Sequence, residues 1–472
     1  MAAGTLAPKL ALARAVAALA RLRGGGATSA PGKVLLGLDG DAIAELGARL
    51  RRGSVLVSAT NGKTTTTAML AGILDRAGVP IVHNAAGANM ASGIATALLA
   101  ATRPRGAIAG ELGVFEVDEL WLDAVAAQLR PRAILLGNLF RDQLDRYGEL
   151  ETIAERWAND VRAERFVLNA DDPMIADLGP DRPQALYFGV EDDSLALPGM
   201  AHAADAKHCR RCGAPYVFET IYLGHLGHYH CESCGQRRPA PAVSASDVTL
   251  EGVRAASFTL HVPEGQARVS LALPGLYNVY NALGAAALAT ALQIALADIV
   301  AGLQDSRAAF GRAEAVTLWP SPAGNGTGDR LAQAPRELRI LLVKNPAGAN
   351  EVLRTLALEP GEHDVLGVLN DKIADGRDVS WIWDADFELL AGRVRSFTCS
   401  GSRAPELAVR MKYAGIDPAR IRVRANLRSA LEQAAADRPD GEAPLYALPT
   451  YTAMLSLREL LVARGEVSSS WS

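Results

Sequence analysis

The stretch that most constrains the fold is residues 54–67, SVLVSATNGKTTTT. SVLVS reads as a buried strand, and it runs directly into the loop Ala59-Thr60-Asn61-Gly62. A helix is expected over residues 63–78. Where a helix starts at the end of a strand, its free backbone N–H groups and its dipole converge on an anion. Gly62 lets the backbone come close to phosphate, Lys63 supplies charge at the β/γ-phosphates, and the Thr64 hydroxyl is placed to hold Mg²⁺. Val57 stands where the usual G-x4-G-K-T pattern has its first glycine, so this is a variant phosphate loop.

Further buried strands are expected at residues 107–115, 133–137 and 165–169, with helical patterns between them. Apolar runs alternating with helices indicate an α/β fold with a mostly parallel, doubly wound sheet. In such a sheet the site gathers at the carboxyl ends of the strands, where this chain places polar residues. Glu116, Asp118 and Glu119 lie in ELGVFEVDE, and Mg²⁺ takes one or two carboxylates beside phosphate oxygens. NLFRDQLDR (138–146) and Asn169-Ala170-Asp171-Asp172 follow the next two strands.

Near residue 200 the texture changes. Residues 202–238 are rich in Cys, His, Gly and Tyr and read as a small inserted module. Within it, Cys209-x2-Cys212 and Cys231-x2-Cys234 form two close thiol pairs, the signature of a zinc ribbon. Four thiolates close a tetrahedral Zn²⁺ shell, which makes the site structural. An iron–sulfur centre, or a ligand from His208, His225, His228 or His230, is the competing reading. The fifth thiol, Cys399, reads as a core residue at a strand end.

Strand-like alternation resumes at residues 248–273, and one long Ala-rich helix is expected over 277–296. Residues 320–335 read as a mobile Pro/Gly-rich loop. The 472 residues suggest two or three domains. The expected division is a helix and lead-in over 1–53, an ATP-binding domain over 54–312 with the ribbon inserted at 202–238, and a C-terminal α/β domain over 313–472. In that last domain RILLVKN, HDVLGVLN, VRSFTCSG and LYALPT are the strand candidates. The net charge of -4 offers no global basic footprint for nucleic acid. Residues 6–23 are Ala/Leu-rich, but Lys9, Arg14, Arg21 and Arg23 recur along them, unlike a signal peptide. A docked N-terminal helix is expected, with a membrane-surface helix as the competing reading, and a cytoplasmic chain.

In chain order, TNGKTT, NLFRDQLDRYGE, LNADDP, GLYNVYNA (275–282), FGRAE (310–314) and KNPAG (344–348) resemble the Mur ligase family. The resemblance implies a reaction in which ATP phosphorylates a carboxylate and an amine displaces the phosphate. It also implies that Thr60, Asn61, Gly62, Lys63, Thr64 and Thr65 bind nucleotide, that Glu116 holds Mg²⁺, and that Asn169, Asn281 and Arg312 contact the nucleotide. The chain departs from the family in three places. About fifty residues precede the loop, too few for the usual UDP-sugar domain. Gln143 stands where many members carry histidine, and no lysine lies between Lys63 and Lys207 to serve as the carbamylated lysine.

One further segment, residues 370–384, NDKIADGRDVSWIWD, packs four aspartates and two tryptophans behind a strand. Its composition alone is equally compatible with an Asp-capped turn. Together with the cysteine module and the missing UDP-sugar domain, it narrows the resemblance to the MurT family. Those proteins pair with a GatD-like class I glutaminase as a heterodimer that amidates the D-glutamate α-carboxylate of lipid II at the inner membrane face. The resemblance implies that an aspartate of the last domain completes the partner's Cys–His triad. Asp384 is the candidate, with Asp378 and Asp375 behind it. The alternatives are a stand-alone ligase of Mur or folylpolyglutamate type and, as a different class, a zinc-ribbon nucleic-acid-binding NTPase.

Overall fold

A computed structural model of the chain describes residues 3–22, 29–84, 87–103, 106–142, 149–182, 184–200, 204–307, 312–319, 335–436 and 443–467. Gln143, Phe310, Gly311 and the segment 320–334 lie outside the described residues.

Among the described residues the first sheet has nine strands, in the order β11-β10-β9-β6-β5-β4-β1-β3-β2. They are β1 (Ser54–Ser58), β2 (Ile81–His83), β3 (Leu112–Glu116), β4 (Ala133–Leu136), β5 (Arg165–Asn169), β6 (Leu186–Val190), β9 (Val243–Glu251), β10 (Ala255–Val262) and β11 (Gly265–Leu271). Every pairing from β2 to β9 is parallel, and the β9-β10-β11 meander is antiparallel. Strands β7 (Val217–Leu223) and β8 (Leu226–His230) form a separate antiparallel hairpin inside the cysteine-rich insertion.

All five residues of β1 are buried, because helices cover both faces of a parallel sheet. Its side chains alternate between two cores. Val55 and Val57 face the cluster under helices Lys63–Arg76 and Leu276–Ala291, whereas Leu56 faces the cluster under Ala91–Ala101. On that second face, helix Ala3–Leu22 buries Leu10 and Ala13. Its basic residues serve the docking: Lys9 pairs with Asp39 at 2.9 Å and Arg14 donates to the carbonyl of Thr102. Among the described residues, no helix is long and apolar enough to cross a membrane.

The second sheet has the order β12-β13-β17-β14-β15-β16, with β12 (Arg312–Leu318), β13 (Arg336–Leu341), β14 (His363–Val368), β15 (Val394–Ser400), β16 (Ile421–Val423) and β17 (Leu445–Pro449). Only β12 pairs antiparallel within it. Along β17 the side chains again alternate, Leu445 and Ala447 into one core, Tyr446 and Leu448 into the other.

Two expected elements differ. The strand expected at 107–115 begins only at Leu112, where it starts pairing with Ile81; before that, Gly106 turns the chain at φ +86°. The helix expected over 277–296 spans Leu276–Ala291, and Leu296–Gln304 is a separate helix. The break is a left-handed cap without glycine. Gln293 adopts φ +62°, and the Ile294 N–H reaches back to the Ala289 carbonyl at 3.0 Å.

Candidate active site

From β1 the chain passes to β2 and β3 on one side, then crosses to β4, β5 and β6 on the other. The loop after β1 therefore opens at the point where strand order reverses, the crevice in which doubly wound sheets bind ligands. Gly62 enters helix Lys63–Arg76 at φ +89°. A Cβ there would lie 1.9 Å from Asn281 Oδ1, so the position excludes any side chain. Asn281, on helix Leu276–Ala291, holds the loop from that side. Its Oδ1 accepts from Thr66 Oγ1 at 3.3 Å, and its Nδ2 donates to Asn278 at 3.1 Å.

Lys63 is 8% exposed. Its ammonium sits 2.9 Å from Glu119 Oε2 and also donates to the Ala59 carbonyl. Burial opposes its charge, but Glu119, Glu116 and Asp118 outweigh burial and hold the ammonium above its ordinary pKa. Burial pushes the Glu119 carboxyl up, with Lys63 opposing. Thr64 Oγ1 donates to Glu116 Oε2 at 2.7 Å. Asn84 fixes the Glu116 backbone by accepting its N–H at 3.0 Å and donating to its carbonyl at 2.9 Å. A hydroxyl and a carboxylate thus converge at the loop as two hard oxygen donors, a set that fits Mg²⁺ and leaves room for phosphate oxygens and water.

The second sheet closes the crevice. Lys344, past β13, donates to Asp142 Oδ2 and to the Thr60 carbonyl at 3.1 Å. Asn345 exchanges amide hydrogen bonds with Asn61, while Asn138 holds the Asn61 backbone N–H and carbonyl at 2.9 and 3.0 Å. Beside these contacts lies a partly open cleft. Asn61, Gly62, Thr65 and Asn281 are among its polar lining; its apolar lining comes from Leu223, Leu226, Tyr277 and Tyr280 and, on the second sheet's side, from Leu341, Leu342 and Val352.

Two expected nucleotide residues stand differently. Asn169 is buried, with its amide spent on the Gly137 carbonyl and the Asp171 N–H. Arg312 opens β12 in the second sheet, and its side chain lies outside the described residues.

The four cysteine sulfurs, Cys209, Cys212, Cys231 and Cys234, lie within 4.8 Å of one another. A tetrahedron with Zn–S bonds near 2.3 Å has edges of roughly 3.8 Å; the Cys209–Cys234 and Cys212–Cys231 separations are 3.5 Å. Cys209 and Cys212 share one turn and Cys231 and Cys234 a matching one, so both close contacts run between the two turns. Gly213 and Gly235 turn at φ +76° and donate to the Cys209 and Cys231 carbonyls. The donor set, spacing and turns fit zinc.

The aspartate-rich segment follows the carboxyl end of β14 in the second sheet. Asp375 is buried and accepts from Thr452 N and Oγ1. Asp378 accepts the Ser380 N–H at 2.8 Å, which lowers its pKa. The Asp384 carboxylate is 46% exposed and stands 3.5 Å from Arg141 Nη1. Around it Trp383 and Tyr413 are exposed and meet edge to face at 5.7 Å.

Sequence profiles match in two places, the Mur ligase middle domain over residues 57–220 and the MurT ligase C-terminal domain over residues 342–454. The MurT subunit of lipid II isoglutaminyl synthase (glutamine-hydrolyzing) from Streptococcus pneumoniae is 33% identical over 445 residues, 93% of each chain. The chain belongs to the MurT family. The corresponding Staphylococcus aureus subunit is 30% identical, over 95% of this chain and 96% of its own. Among solved structures, a pseudomurein peptide ligase type C from Methanothermus fervidus superposes with TM-score 0.65 at 23% identity, covering 89% of this chain and 80% of that one. The fold is that of the Mur ligases.

Beyond the family's motifs, several site residues carry no signal of their own in the sequence. Glu119 sits among other acids, and only its 2.9 Å contact with Lys63 singles it out. Lys344 shows its role only through contacts with Thr60 and Asp142. Leu223 and Leu226 read as ordinary hairpin apolar residues, and no local pattern aims them at the cleft.

Proposed function

We propose that the chain is the ATP-dependent synthetase subunit of a glutamine-hydrolysing enzyme that converts the D-glutamate α-carboxylate of lipid II to a carboxamide. The substrate carboxylate attacks the γ-phosphorus of ATP, giving an acyl phosphate and ADP. Ammonia then attacks the acyl carbon and phosphate leaves. The observation that carries the reading is the convergence at one strand-order reversal of Lys63, the Thr64–Glu116 pair and, from the second sheet, Lys344.

In this reading Gly62 and the N-terminus of helix Lys63–Arg76 receive the phosphates. Lys63 exchanges Glu119 for phosphate oxygens and offsets charge that builds on them as the phosphoryl group moves. Thr64 and Glu116 would hold Mg²⁺, which when bound draws negative charge from the phosphate oxygens. Asn281 keeps the loop in its phosphate-facing shape. Lys344 brings a second cation from the C-terminal domain, so the site is complete only when the two sheets are closed on each other. The ATP-binding unit, expected over residues 54–312, then ends before Arg312, which already pairs with Leu341 in the second sheet, and the unit that follows carries the partner's face. The four cysteines hold a structural Zn²⁺.

Ammonia comes from a partner glutaminase of class I, whose histidine meets an aspartate of this chain. Asp384 is assigned that role because its half-exposed carboxylate stands beside the exposed Trp383, whereas Asp375 is consumed by Thr452 and Asp378 accepts the Ser380 N–H in its own turn. The test is amidation of lipid II by the purified subunit with ATP, fed either by glutamine and a partner glutaminase or by concentrated ammonia. Carboxamide product with both feeds is the expected result. ATP-dependent addition of an amino acid in place of ammonia would instead identify a stand-alone ligase.

A further inference from the structure

The phosphate loop accounts for the polar lining of the cleft but not for its apolar wall. That wall includes Leu223 and Leu226, the last residue of β7 and the first of β8. The hairpin they close belongs to the cysteine module: β8 runs into Cys231, and its Tyr229 packs beside Cys209 and Cys231. Its two-residue turn, Gly224-His225, does not face solvent. Gly224, at φ +58°, lies so close to Phe140 that a Cβ would meet the ring at 2.8 Å. His225 is fully buried, its ring centroid 4.6 Å from that of Phe140 and its Nε2 3.4 Å from Asp172 Oδ2. Asp172 in turn accepts the Leu139 N–H at 2.9 Å. The hairpin tip is therefore seated on the residues that follow β4 and β5.

A second anchor joins module and cleft. Arg238, just past Cys234, donates to Asp171 Oδ1 at 2.6 Å, and the Gly227 N–H donates to the Asp171 carbonyl at 3.0 Å. Tyr280, which lines the cleft from helix Leu276–Ala291, donates to Asp171 Oδ2 at 2.7 Å. One buried carboxylate thus ties the cysteine module to the helix that also carries Asn281.

We infer that the cysteine module is a wall of the nucleotide site: its hairpin seats Leu223 and Leu226 as an apolar face for the nucleobase. Asp171 keeps the facing Tyr280 in register. This inference rests on the nucleotide reading of the phosphate loop. It makes the metal a support for base binding as well as for the local fold.

The test separates base from phosphate. Binding of ATP and of inorganic tripolyphosphate is measured by calorimetry on the zinc-loaded full chain, with Mg²⁺ present. Leu226→Ala should weaken ATP about tenfold, the effect of losing one side chain's apolar contact, and leave tripolyphosphate unchanged. Leu226→Met, which refills the volume, should restore ATP binding. Arg238→Met, which touches no cleft residue directly, should weaken ATP in the same selective way. Unchanged ATP binding in Leu226→Ala overturns the inference. So does an equal loss of both ligands, which would mean that the hairpin supports only the loop's fold. If the wild-type chain binds tripolyphosphate as tightly as ATP, the cleft takes no base, and the inference fails while the phosphate loop stands. If wild type binds neither, the nucleotide reading fails and this inference with it.

Discussion

Asn61 and Asn345 face each other amide to amide across the two sheets, with Nδ2–Oδ1 distances of 3.3 and 3.0 Å. Asn345 does two jobs with one side chain. Its Oδ1 also accepts the Gly348 N–H at 2.8 Å and caps helix Pro346–Ala357. The two jobs separate by substitution. Asn345→Asp keeps the capping oxygen and loses the amide donor to Asn61, so the fold should keep its melting temperature while KM for ATP rises. Asn345→Ala loses both, and stability should fall by about 1 kcal/mol as well. Calorimetric melting and ATP-dependent kinetics on the two variants check this; equal behaviour in both would remove the clamp from the account.

Lys63 and Glu119 form a buried pair, and removing one member exposes the other. Lys63→Met should abolish amidation with either nitrogen source. It should also change how stability depends on pH. Burial already raises the Glu119 pKa, and without Lys63 that rise grows. A carboxyl whose folded pKa lies above its unfolded value is tolerated while protonated. Its contribution is present below the ordinary glutamate value of 4.5 and is lost as pH rises through the folded value. The melting temperature of Lys63→Met, relative to wild type, should therefore decline from acidic toward neutral pH. A constant difference across that range would contradict the burial argument.

The purified chain should carry about one zinc, because four thiolates fill a tetrahedral shell. Cys231→Ser breaks the shell at a buried ligand that also packs with Tyr216 and Tyr229. It should lower the melting temperature and expose Cys212 and Cys234 to thiol reagents faster than wild type. Elemental analysis giving iron, or no metal, would reject the assignment.

How much of this was legible in the sequence follows the range of the interactions. β1, its loop and helix Lys63–Arg76 are one continuous local pattern, and the structure keeps them together. The four cysteines announce themselves because each close pair lies within one short turn. The Asp171–Tyr280 bond spans 109 residues and Lys344–Asp142 spans 202, so neither leaves a periodic trace. Asp171 shows the consequence. Its motif, NADD, resembles a nucleotide-side stretch, yet its carboxylate is taken up by Arg238, Tyr280 and the Val190 N–H. The helix break after Ala291 was hidden for a different reason: Gln293 fills a left-handed cap that glycine would have flagged.

In the proposed reaction one chain joins an ATP-driven amide-forming site to a carboxylate that serves a partner's glutaminase. Asp384 caps the turn Ser380–Trp383 and pairs with Arg141, whereas Lys63 and Thr64 open the helix after the phosphate loop and Glu116 ends β3. Asp384→Asn keeps the shape and removes the charge that would stabilise an imidazolium, a change that costs on the order of 10⁴-fold in a triad. The decisive measurement is carboxamide formation on lipid II by this variant, under glutamine with the partner and under concentrated ammonia, with partner binding verified separately. The account predicts that glutamine-fed amidation is abolished and ammonia-fed amidation is largely kept. Equal loss under both feeds, or full activity under both, would contradict it.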